Sequence, residues 1–193
     1  MTDDDLFRAV LARVATGRPN DSSYAFPLPD PAPVEAVEEF ERVVGHPMPP
    51  LVRRIYLEIA DGGIGPFGGI YALEDEDEPL GMLNGYTEYL HARLDPEEAP
   101  PPPAGVLFFC DMGCAQSFLL DCRHPEGQMW WWAEGDRHKL DLTFPQWLGA
   151  WLEGQSWSDR PALEVINSLK LPDESWIGSW ATDDLVIEVP DTP

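Results

Sequence analysis

Positive charge is what this chain has least of. Its 12 Lys+Arg, of which only Lys139 and Lys170 are lysines, stand against 35 Asp+Glu, for a formal net charge of -23. Nucleic acid and anionic membrane surfaces are therefore poor partners, since a protein that binds them must neutralise phosphate with cations. A basic protein is the natural complement, and the plainer alternative is that the charge serves solubility alone. Cysteine is scarce too. Cys110, Cys114 and Cys122 are few and odd in number, which excludes a disulfide framework and predicts reduced thiols. No apolar run approaches the length that spans a bilayer, and Met1-Thr2-Asp3-Asp4-Asp5 is acidic where a secretory leader is basic, so the expected location is the cytoplasm.

The signatures of common chemistries are missing as well. Gly62-Gly63, Gly65 and Gly68-Gly69 are followed by no Lys-Ser/Thr and preceded by no strand, so they read as turn glycines and not as a phosphate cradle. Cys110, Cys114, Cys122 and His124 are spaced Cys-x3-Cys-x7-Cys-x-His, which is not a zinc-knuckle spacing, and buried thiols are the expected outcome. His46, His91, His124 and His138 accompany no nucleophile in a local motif, although Asp111, Asp121 or Asp136 could flank them in space. The expectation is a chain that is not an enzyme and needs neither cofactor nor metal. The observation that would favour catalysis is convergence of Asp and His side chains in one concave pocket.

What is present starts with 193 residues at 44% hydrophobic, enough for one substantial core. Val34 to Gly63 organises the rest. Val37, Phe40 and Val44 recur at helical spacing between Glu35, Glu38, Glu39 and Arg42, and Gly45 ends that helix. Pro47, Pro49 and Pro50 cannot continue it, but a first-turn proline can open the next helix near residue 50, whose apolar face is Val52, Ile55 and Ile59. Asp61-Gly62-Gly63 closes the second helix, and the unit is a helical hairpin with a fixed elbow.

Before it, Asp3 to Ala15 predicts a helix with acids in its first turn and an apolar stripe of either Leu6, Val10 and Val14 or Phe7, Val10, Leu11 and Val14, stopped by Gly17. Residues 18–33 read as a proline-rich arm anchored by Tyr24, Phe26 and Leu28. After the hairpin come a short strand at Ile70 to Leu73, an exposed acidic loop at Glu74-Asp75-Glu76-Asp77-Glu78, a helix over Tyr86 to Leu94 and a stiff proline connection over residues 95–104. Val106 to Cys110, Ser117 to Asp121, Gln128 to Trp132 and Arg137 to Leu142 form an antiparallel meander. Thr143 and Pro145 then start a helix bearing Phe144, Trp147, Leu148, Trp151 and Leu152. Beyond it, Pro161 to Leu169 suggests a helix and Leu185 to Val189 a strand, in an extension whose Trp157, Trp176 and Trp180 favour packing on the core.

The acidic helix, the elbow Gly45-His46-Pro47-Met48-Pro49, the second helix and the stop Asp61-Gly62-Gly63 resemble the SUKH superfamily, the group of cell-wall-assembly regulators and toxin-immunity proteins. Met48 replaces the more usual leucine and Asp61 the more usual asparagine, each keeping the physical role. The resemblance covers residues 34–154 and implies an α+β fold, an antiparallel sheet of about four to six strands flanked by helices. Around it lie residues 1–33, the first helix and arm, and residues 155–193, the extension. It further implies a protein-binding module, foremost an immunity protein that blocks a basic, nuclease-type toxin, and in second place a regulatory or scaffolding protein with an endogenous partner. The candidate contact residues are Glu74, Asp75, Glu76, Asp77 and Glu78, extending the acidic field. Trp131 joins them as an aromatic anchor if its face of the strand is the outer one, since Trp130, Trp131 and Trp132 must alternate sides.

Overall fold

The computed structural model describes residues 1–23, 27–74, 81–91, 104–133 and 136–155. Helices α1 (Asp3–Ala15), α2 (Val34–Val44), α3 (Pro50–Glu58), α4 (Met82–His91) and α5 (Phe144–Leu152) accompany strands β1 (Val106–Gly113), β2 (Gln116–Asp121), β3 (Gln128–Ala133) and β4 (Asp136–Thr143). The strands form one antiparallel sheet in sequence order, with Phe118 opposite Trp131 and Leu119 opposite Trp130. A short fifth strip joins at the β1 edge, where Ile70 bridges Cys110 and Tyr71 donates its N–H to Phe109 O at 2.9 Å. The fold is α+β, with helices packed on an antiparallel sheet.

Local chemistry accounts for the elements. Thr2 accepts the Asp5 N–H while the Asp5 carboxylate accepts from Thr2, so the first turn of α1 is capped from both sides. Leu6, Phe7 and Val10 are the buried stripe of that helix and join the main core. In α2 the buried residues are Val37, Phe40 and Val44, the spacing expected of one apolar face. In α3 the buried set is wider than Val52 and Ile55, because Leu51 and Tyr56 are enclosed as well, while Ile59 is only half-buried. α5 begins where Gln146 Oε1 accepts the Thr143 N–H at 2.8 Å, and it lays Trp147 against Phe109, Phe118 and Phe144 at ring separations of 5.4 to 6.1 Å.

β1 runs three residues past its expected end, to Gly113, and two larger differences adjoin each other. The strand expected over Ile70 to Leu73 pairs with β1 only at its first two residues. Ala72 O and Leu73 O instead accept the N–H groups of Met82 and Leu83 at 2.9 and 3.0 Å, so the second half of the strip serves α4 and not the sheet. The helix expected from Tyr86 accordingly starts four residues earlier, with Met82 and Leu83 buried in its first turn. Leu28 is half-buried beside Gly63. Tyr24 and Phe26, the proline connection and everything expected of residues 156–193 lie outside the described residues. No helix among the described residues is long and apolar enough to cross a membrane.

Candidate functional site: the elbow and the stem of the acidic loop

Gly45 caps α2 in the left-handed region, with φ of 77°, and turns the chain into the elbow. From α2, Glu41 reaches across it: its Oε1 accepts the Met48 N–H at 3.0 Å, and Arg53 of α3 lies 3.8 Å from the same oxygen. Met48 itself is buried, so a flexible apolar side chain fills the space between the helices. Pro49 and Pro50 then open α3 without sacrificing any hydrogen bond.

At the far end of α3 the stop sequence acts as a clamp. Asp61 donates its N–H to Asp30 O in the arm at 3.0 Å, and its Oδ1 accepts the Leu73 N–H at 2.9 Å. Accepting the Leu73 N–H needs only a side-chain oxygen, which aspartate supplies as asparagine would. Gly62 follows with φ of 93°, and a Cβ on it would lie 2.7 Å from Ala72 N, so the close approach of the two backbones excludes any side chain. Gly63 donates to Ile70 O at 2.8 Å, and Tyr56 Oη to Tyr71 O at 2.5 Å. The motif thus holds the hairpin to the strip 70–73, and through it to β1.

That strip is the near stem of the acidic run. Leu73 is fully buried and Glu74, the next residue, is exposed. The far stem is Met82-Leu83, bound back to Ala72 and Leu73. The two flanks of the run are therefore fastened to each other, while Asp75, Glu76, Asp77 and Glu78 lie outside the described residues.

Most of the scarce cations in the described residues are engaged with carboxylates of the chain itself. Arg8 pairs with Asp5, Arg13 with Asp21, Arg42 with Glu39, Arg53 with Glu41, Arg54 with Asp4 and Glu58, and Arg123 with Asp121. The Arg42 hydrogen bond holds the Glu39 carboxyl below its usual range, and the Thr2 contacts do the same for Asp5, so both stay ionised at neutral pH. Exposed Asp3, Glu35, Glu38 and Glu74 add to the acidic surface.

Trp131 is placed on the helix-facing side of the sheet at 5% exposure, within the main core, so its ring offers a partner almost no surface in this conformation. Trp130 on the other side is also buried, and Trp132 is half-buried. Cys110 and Cys122 are buried and Cys114 is exposed at the β1–β2 turn. Burial pushes the Cys110 and Cys122 thiols far up in pKa, which makes them packing groups and poor nucleophiles. His124 accepts the Glu126 N–H at Nδ1 in the β2–β3 turn, and the side chains of His91 and His138 lie outside the described residues. Sequence reasoning missed Tyr56 and Glu41, the two side chains that tie the motif together. A tyrosine two residues after the consecutive arginines, and one glutamate among several on α2, carry no local signal that sets them apart.

Residues 31–150, more than half of the chain, match the SMI1 / KNR4 family (SUKH-1). No curated protein and no solved structure matches the chain.

Proposed function

Because the chain belongs to the SMI1 / KNR4 family (SUKH-1), we propose that it is a non-enzymatic, protein-binding module of the immunity type that occludes a basic, nuclease-type toxin domain. The observation that carries this reading is electrostatic. A chain of formal charge -23 engages Arg8, Arg13, Arg42, Arg53, Arg54 and Arg123 with its own carboxylates and leaves an acidic surplus facing outward. A nuclease must present cations to nucleic acid, so its active-site surface is the complement of such a field. Glu74 and the run to Glu78 supply the densest charge, rising from a stem that the family motif braces. Charge of this kind sets how fast the partner is captured, and apolar contacts set how long it stays.

The test is replacement of Glu74, Asp75, Glu76, Asp77 and Glu78 by serine in the full chain, with association to the toxin encoded beside it followed at low and high salt. The expected outcome is an on-rate lowered about tenfold at low salt and nearly unchanged at high salt, with thermal stability kept. An on-rate that ignores both salt and the substitutions removes the electrostatic reading. If no toxin gene neighbours this one, and pull-down instead returns an endogenous protein, the regulatory or scaffolding reading takes its place.

A further inference from the structure

The sheet has a second side. Val106, Leu119 and Trp130 form a separate apolar cluster on it at 1%, 0% and 3% exposure, with Phe108 and Trp132 packed beside them. Among the described side chains no helix contributes to this cluster, because the buried apolar residues of α1, α2, α3, α5 and the first half of α4 belong to the helix-facing core. An uncovered sheet face stands in water, so burial this deep requires a cover. The edge strand β4 brings two of the chain's twelve Lys+Arg positions to one margin of the face, Lys139 opposite Trp130 and Arg137 opposite Trp132 in the β3–β4 ladder.

The stretches outside the described residues differ sharply in what they could supply. Residues 24–26 carry Tyr24 and Phe26, but the described residues on either side of them lie on the helix-facing side, where Asp21 accepts the Trp151 Nε1–H and Leu28 packs on the main core. Residues 75–80 hold one large apolar residue, Leu80, and residues 92–103 hold one, Leu94, among prolines and acids. Residues 156–193 carry Trp157, Trp176, Trp180 and the run Leu185-Val186-Ile187, and they are acidic, with Asp183, Asp184 and Glu188 around that run. Reach is no obstacle, since about six residues of extended chain cross a four-stranded sheet.

We propose that segment 156–193 docks on the outer face of the sheet, its apolar side chains over Val106, Leu119 and Trp130 and its acids toward the β4 edge. The face is then closed to a partner. This rests on burial and composition and is independent of the toxin reading.

The experiment uses the full chain with the photo-crosslinker p-benzoylphenylalanine in place of half-buried Trp132, or of Phe108 if the first variant does not fold. After irradiation, crosslinked peptides are identified by mass spectrometry. The expected result is an intrachain crosslink to peptides within 156–193, absent when the same group replaces Leu11, which is exposed on α1. A crosslink between two copies, a crosslink to residues 92–103, or no crosslink at all overturns the proposal.

Discussion

On its helix-facing side the sheet sets Leu107, Phe109, Phe118, Leu120 and Trp131 into one continuous core with α1, α2, α3, α4 and α5; on the other side, alternate residues of the same strands form a cluster of only Val106, Leu119 and Trp130. Both sides are dry. The strands advertise this, since Val106-Leu107-Phe108-Phe109-Cys110, Phe118-Leu119-Leu120 and Met129-Trp130-Trp131-Trp132 are continuous apolar runs where a strand with one wet face would alternate. A sheet of this kind has little aromatic surface to display, and Trp131 accordingly packs in the helix-facing core.

The difference between the two sides can be broken by substitution. Trp147→Ala on the helix-facing side removes the ring that meets Phe109, Phe118 and Phe144, and is expected to cost roughly 3–5 kcal/mol in urea unfolding. Trp147→Phe is expected to cost less, because the Trp147 Nε1–H has no hydrogen-bond partner among the described residues. Half-buried Phe108 on the other side meets Trp132 edge-on, and Phe108→Ala is expected to cost about 1–2 kcal/mol. Equal losses at Trp147 and Phe108 would erase the distinction between a primary core and a secondary cover.

Alkaline unfolding sharpens the same comparison, because Cys110 and Cys122 both lie in the helix-facing core. Their native thiols resist ionisation, while in the unfolded chain a thiol ionises near pH 8.5. The native state therefore binds more protons above that pH. Stability, full at lower pH, should fall by up to about 1.4 kcal/mol per pH unit for each thiol between about pH 9 and 10. Buried Tyr56, whose phenol is also raised by desolvation, adds to the slope at higher pH. Denaturant melts of the double variant Cys110→Ala, Cys122→Ala should show a shallower slope, and an unchanged slope would place the titration elsewhere.

The smallest expected effect is at the hairpin that joins β1 to β2, where Cys114 and Ala115 both adopt positive φ, 54° and 57°. Neither is a glycine or asparagine, the residues such a two-residue turn prefers. Ala115→Gly is expected to stabilise the chain by about 1 kcal/mol, read as a higher urea midpoint with an unchanged slope.

Much of the fold was legible because its signals are local. The boundaries of α1 follow from acids at one end and Gly17 at the other, and α2 and α3 from apolar spacing broken by Gly45 and three prolines. The four strands follow from apolar runs between turn residues. The start of α4 was hidden, since Gly81 and Gly85 flank its first turn and the acidic run before it masks the pattern. The truncated strip at Ile70 was hidden because whether Ala72 and Leu73 serve a sheet or a helix depends on residues ten positions away.

Composition and periodicity alone decided the charge of the surface, the helical hairpin with its proline elbow, and the meander of strands, because each is a statement about neighbours in sequence. Tertiary contact decided the rest: that the Asp61 carboxylate binds Leu73, that Gly62 must be bare to let Ala72 approach, and that Trp131 points inward. Those outcomes depend on which surfaces meet when separate elements pack, and no local window contains both partners of such a contact.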